Sequence, residues 1–176
     1  LELNPVLKDL VLKSSNFLPE CCGIKPKNNI WANISGIDLI RDHKGKFFVL
    51  EDNLRVPSGV AYMLENRNIM KRVVPELFNE YEVSPIDDYP SKLYKCLVES
   101  SYTTIKDKTI VILTPGVYNS AYFEHAYLAQ QMGIELVEAT DLYVAKNNIV
   151  FMKTIYGKKK VDVIYRRIDD RFLDPL

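Results

Sequence analysis

The chain has 176 residues, 47% of them hydrophobic, and 23 basic side chains balance 23 acidic ones. Such a length suits one domain or two small ones, the composition excludes a disordered or fibrous chain, and zero net charge gives no electrostatic ground for nucleic-acid binding. No apolar run reaches the roughly 18 residues of a membrane span, no signal-peptide pattern is read, and Cys21, Cys22 and Cys96 form neither a paired framework nor a zinc spacing, so a reducing cytoplasmic setting is expected.

Residues 1–30 contain Pro19, Pro26 and Asn28-Asn29 and read as an entry segment holding a short strand or helix. Residues 30–34 read as a strand leading into a hairpin over 36–53, where apolar stretches flank the polar turn Asp42-His43-Lys44-Gly45. After Pro57-Ser58-Gly59, residues 60–74 carry apolar side chains at helical spacing, with Ser58 as N-cap and Pro75 as terminator. A second helix is expected from Asp87-Asp88-Tyr89-Pro90, burying Leu93 and Leu97. Residues 108–114 form a short uninterrupted apolar run, as expected of a parallel strand buried on both faces. Residues 120–132 then read as a helix ending at Gly133, and 134–137 as a second parallel strand. A hairpin over 143–152 turns at Asn147-Asn148, Lys158-Lys159-Lys160 decorates an exposed turn, and 161–165 is a last strand. The fold class is α/β, with an antiparallel part over 1–85 and a parallel sheet over 86–176.

Three side chains of the first hairpin have metal-ligand character. With the turn centred between Lys44 and Gly45, Asp38 and Glu51 lie opposite one another. Glu51 and Asn53 then share a face, while Asp52 points away. Asp38, Glu51 and Asn53 converge as a small all-oxygen set that suits Mg²⁺ bound with a nucleotide. A one-residue slip would break the arrangement. The bland reading of the same residues is a solvated hairpin whose acids pair with Arg41 and Arg55.

These residues resemble a known family. An Asp on one strand, Glu-x-Asn on the next and then Pro57-Ser58-Gly59 resemble the magnesium end of ATP-grasp ligases. The run from Val49 to Val60 is similar to circularly permuted ATP-grasp proteins of type 2, relatives of glutathionylspermidine synthetase-like amide ligases. Residues 113–125 and 161–170 match the same family, and the resemblance extends from about Val11 onward. It implies an ATP-grasp palm-like fragment over 1–85 and a Rossmann-like pre-ATP-grasp domain over 86–176. It also implies ATP and Mg²⁺, with Asp38, Glu51 and Asn53 on the metal. The substrates implied are small or peptide-like carboxylates and amines, with neither nucleic acid nor membrane as partner.

Family members are longer, so the chain is expected to be a fragment, inactive alone, whose partner is the remainder of its own ATP-grasp chain. A non-catalytic ATP-grasp-like interaction module is the alternative.

Further site residues follow from position. Arg41 and Arg55 offer guanidinium forks for phosphate or carboxylate, or for surface ion pairs. Ser58 and Gly59 open a helix whose amides either bind an anion or simply begin the helix. Thr114, Gly116, Asn119 and Ser120 follow a strand at the edge where open α/β sheets bind ligands. Arg166 and Arg167 sit at the same edge, where one of them is expected to pair with Asp169 or Asp170. His125 is read as a packing or helix-surface residue, because no nucleophile is placed to form a triad with it. His43 is read as solvated.

Overall fold

Ile110, Val111, Ile112 and Leu113 carry no polar side chain, and the structure buries all four as strand β3 (Ile110–Leu113). A computed structural model describes residues 4–173 of the chain, which divides into two compact units, Leu1–Trp31 and Ala32–Leu176.

In the first unit, helix α1 (Pro5–Leu12) starts where Asn4 caps it, its Oδ1 accepting from the Val6 amide at 2.9 Å, with Pro5 at the first helical position. Two single turns of 3₁₀ helix follow, Pro19–Cys21 and Lys27–Asn29. None of the described residues of this unit is buried.

The second unit opens with strands β1 (Gly36–Arg41) and β2 (Phe47–Asn53), paired as an antiparallel ribbon. Residues 30–34 form no strand, against the reading of an extra strand there; no neighbouring backbone ladders with them. Helices α2 (Val60–Val73), α3 (Pro75–Glu80) and α4 (Tyr89–Ser100) follow. Pro75 ends α2 as expected, but it also starts α3, since a first-turn proline lacks only an N–H that would be unbonded anyway. Residues 80–90, where a boundary is expected, lie inside this unit.

Helix α5 (Tyr122–Met132) connects β3 to β4 (Glu135–Val137), and β8 (Val163–Arg166) flanks β3 on its other side. All three strands run parallel in the order β4-β3-β8. Leu93, Leu97, Leu128 and Ala129 of α4 and α5 pack on one face, around Ile110 and Ile112. On the other face Val111, Leu113 and Val137 meet Met152, Val161 and Ile168. Met152 comes from the antiparallel sheet β5 (Leu142–Val144), β6 (Val150–Thr154), β7 (Gly157–Lys160). Lys158-Lys159-Lys160 therefore belong to a strand rather than a turn; the turn is Ile155-Tyr156, whose side chains are almost fully exposed. The molecule is a mixed α/β fold in which the parallel strands end together at one edge.

Candidate functional site

The first hairpin reaches the expected pairing by an unexpected route. Its turn is centred on Lys44, because Arg41 pairs with Phe47 and Leu39 with Val49. The Gly45 amide donates to the Asp42 carbonyl at 3.0 Å and Gly45 takes φ +82°, the left-handed residue that closes a three-residue loop. Continued regularly, that register would place Leu50 opposite Asp38. A one-residue shift between Asp38 and Leu39 skips Leu50, so Asp38 faces Glu51 and Gly36 faces Asn53.

Asp38 and Glu51 thus share a face with Asn53, whose Nδ2 donates to Asp38 Oδ2 at 3.2 Å. The Glu51 carboxylate has no bonding partner among the described residues. Asp52, on the opposite face, accepts from Ser35 Oγ at 3.3 Å. No group of three or more His, Cys, Asp or Glu side chains is placed to hold a metal among the described residues. The hairpin set is two carboxylates and an amide, and their oxygens are the hard donors a magnesium ion takes alongside water and phosphate oxygens. Arg41 lies away from this set, its Nε donating to the Gly45 carbonyl at 3.3 Å.

The base of the hairpin abuts the loop after it. A Cβ on Gly36 would come within 2.9 Å of the Pro57 side chain. Val56 holds φ +47° although it is β-branched and precedes proline, a conformation costing on the order of 1–3 kcal/mol that the surroundings must impose.

Those surroundings centre on Glu124 and Arg167, each with a side chain 1% exposed. Arg167 Nη2 donates to Glu124 Oε1 at 2.9 Å, and Nη1 donates to the Pro57 carbonyl at 2.6 Å and to the Tyr165 hydroxyl at 3.2 Å. Glu124 Oε2 accepts from the Gly59 amide at 2.7 Å and the Ala61 amide at 3.1 Å. Ser58 is therefore not the cap of α2. Gly59, at φ +112°, takes that position, and the carboxylate at the helix N-terminus is supplied from α5, 65 residues on. The Gly59 and Ala61 amides at this helix start are thus bonded internally. One buried ion pair joins α5 and the end of β8 to the loop between hairpin and α2.

His125, beside Glu124, is buried rather than on a helix surface. Its Nδ1 lies 2.8 Å from Thr114 Oγ1, which accepts from the Gly116 amide at 3.2 Å. A hydroxyl donates once and accepts twice, so Thr114 serves either neutral tautomer of the ring, whose buried Nε2 has no partner among the described residues. Burial, reinforced by the charge of Arg167, holds this imidazole down to about 4 from an ordinary 6.5. The unfolded chain takes up a proton here as pH falls through 6.5, whereas the folded chain does so only near 4. This contribution to stability is fully present above pH 6.5 and is lost as pH falls to 4, by on the order of 3 kcal/mol. Denaturant midpoints between pH 7 and pH 4 should fall more steeply for the natural chain than for His125→Gln. Parallel profiles would contradict the assignment.

Two clefts border this cluster. One, of about 240 Å³, is lined by Arg55, Val56, Ser58, Asn119, His125 and Arg167, with Asp169 at its edge. The other, of about 510 Å³, opens at the ends of the parallel strands between Thr114, Asn119, Glu138, Thr140, Asp169 and Phe172. Asn119 and Asp169 line both. Gly116 sits against Glu138, where an added Cβ would meet Oε1 at 3.1 Å. Ser120 borders neither of these clefts. Arg55 approaches Asp170 at 3.6 Å, and Arg166 pairs with the same carboxylate. Sequence reasoning assigned no functional role to Glu124 or His125. Their one-dimensional trace is a polar pair amid the apolar residues of a helix that follows a buried strand.

A hairpin bearing Asp, Glu and Asn, tied by a buried ion pair to one edge of a parallel sheet, defines a mixed α/β protein. The chain matches the family model of circularly permuted ATP-grasp type 2 over residues 2–176 and belongs to that family. An uncharacterized protein of Mycobacterium tuberculosis is 56% identical over 167 residues, covering 95% of this chain and 30% of the relative. An uncharacterized Synechocystis protein is 52% identical over 95% of this chain and 34% of its own length. A protein of Frankia casuarinae named "Putative glutamate--cysteine ligase 2-2" is 42% identical over 80% of this chain and 16% of its own length. The chain thus spans about a third or less of each of these relatives. Among the described residues no helix is long and apolar enough to cross a membrane.

Proposed function

We propose that the full-length protein is an ATP-dependent ligase joining a carboxylate to an amine or a thiol through an acyl phosphate. The observation that carries this reading is the placing of Asp38, Glu51 and Asn53 on one face of the hairpin by a register shift. In this reading the three side chains hold Mg²⁺ with ATP, which together neutralise and deliver the phosphoryl charge. Arg55 is suited to meet a phosphate or carboxylate beside them, with Arg41 further along the ribbon. Ser58, Gly59, Thr114, Gly116, Asn119, Ser120, Arg166 and Arg167 form the substrate side, at the edge where parallel sheets present ligands. Arg167 acts there chiefly by holding Pro57 and Glu124 in place. The hairpin and α2 correspond to a palm-like part, and the parallel sheet to a Rossmann-like pre-ATP-grasp part, as in glutathionylspermidine synthetase-like ligases.

The family supports ATP use, and the Frankia name supports a ligase. Ile37, Leu39, Phe47, Val49 and Leu50 leave both faces of the ribbon apolar and more than half exposed. Exposed apolar area of that extent favours a partner, and the remainder of the same ATP-grasp chain is the natural one. This chain alone is then inert, and ADP release by the isolated chain would contradict that.

Hydroxylamine replaces the amine in the decisive test. Full-length protein supplied with its acid, ATP and Mg²⁺ should form an acyl hydroxamate stoichiometric with ADP. ADP without hydroxamate would exclude the acyl phosphate. Neither product with any acid would favour the non-catalytic interaction module.

A further inference from the structure

Val56 holds φ +47°, and every other left-handed residue among those described is a glycine or an asparagine, the types that reach this region at little steric cost. Valine is β-branched and here precedes proline, which favours extended backbone, so nothing local selects the conformation.

Contacts on both sides impose it. Upstream, β2 ends at Asn53, which pairs with Gly36. Downstream, the Pro57 carbonyl accepts from Arg167 Nη1 at 2.6 Å, and the Gly59 amide donates to Glu124 Oε2 at 2.7 Å. The Pro57 side chain also fills the space that a Cβ on Gly36 would need. The chain is thus fixed at Asn53 and again at Pro57, with only Leu54, Arg55 and Val56 between them. The left-handed turn of this short strap falls on Val56, and Arg55 and Val56 both line the cleft of about 240 Å³.

We propose that Val56 is a positioning residue, whose strained turn fixes where Arg55 and the metal-facing Asn53 stand relative to the edge of the parallel sheet. Strain of this kind persists only where the surroundings over-determine it, and it gathers at functional sites. Glycine would take the same φ freely, but it would take many others as well. A β-branched residue pinned at both ends has few alternatives, so the strap keeps one path. The inference rests on the ligase reading only for what Arg55 and Asn53 do; the fixing of the strap stands on the contacts alone.

Val56→Gly and Val56→Ile in the full-length protein test it through three readouts. These are the denaturant midpoint, Mg²⁺-dependent ADP release, and tryptic cleavage after the exposed Arg55, normalised to a peptide of residues 50–61 with the same substitution. Val56→Gly relieves the strain and should leave the midpoint unchanged or raised. It should nevertheless be cut after Arg55 at least about tenfold faster and release ADP at least about tenfold more slowly. Val56→Ile keeps the β-branch and should stay within about threefold of the natural protein in both rates.

A lower midpoint accompanying both rate changes would reduce Val56 to a packing residue and overturn the proposal. Natural cleavage and turnover in Val56→Gly, either rate changing without the other, or Val56→Ile behaving like Val56→Gly would overturn it too. If the natural protein releases no ADP with any acid, the ligase reading fails by itself, and cleavage and midpoint still decide whether Val56 fixes the strap.

Discussion

Arg167→Met should destabilise the second unit by about 3–5 kcal/mol, the usual cost of removing one partner of a buried ion pair. Glu124 would remain as a buried anion held by only the Gly59 and Ala61 amides, and Pro57 would lose its donor. The cost arises mainly from the stranded charge, so adding Glu124→Gln should recover part of it, an interaction of the sign a double-mutant cycle detects. Denaturant midpoints at unchanged slope are the readout. A single variant within about 1 kcal/mol of the natural chain, or strictly additive losses, would show that water reaches the pair.

Glu51→Ala should lower Mg²⁺-dependent ATP turnover of the full-length protein by at least about 100-fold, corresponding to roughly 2.7 kcal/mol of lost transition-state stabilisation. Its stability should stay within about 0.5 kcal/mol, because the side chain is exposed and bonded to none of the described residues. Asp52→Ala is the control. It removes a neighbouring carboxylate from the opposite face of the same strand and should leave turnover nearly unchanged. Equal losses in both variants would mean that the hairpin matters as a scaffold rather than through a ligand set.

The elements that the sequence predicts well are those whose determinants are local. An all-apolar β3, a helix ending at Gly133 and a hairpin around Asp42–Lys46 each follow from neighbouring residues. The pairing of Asp38 with Glu51 was legible for a partly mistaken reason. The turn is one half-residue away from the assumed centre, and the Leu50 irregularity restores the pairing; nothing in Val49-Leu50-Glu51 advertises a bulge. The cap of α2 was not legible at all, because its carboxylate arrives from Glu124 and its identity depends on where α5 packs. For His125 the packing alternative holds, but its partner was not legible. A histidine in an apolar helix looks like filler until the strand before it brings Thr114 to within 2.8 Å. Long-range contacts created the site, and periodicity carries no record of them. The family resemblance suggested a metal set and pointed to the sheet edge, yet it gave no sign of the ion pair that joins the hairpin loop to that edge.

The central claim is that this chain supplies part of the metal and substrate machinery of an ATP-dependent ligase. ADP release by the full-length protein, measured against a panel of acids with and without amine or thiol and with and without Mg²⁺, tests it most directly. The account predicts ADP release that requires the acid, the nucleophile and Mg²⁺ together. Failure to bind Mg²⁺-ATP, or ATP hydrolysis indifferent to every acid and nucleophile, would contradict it.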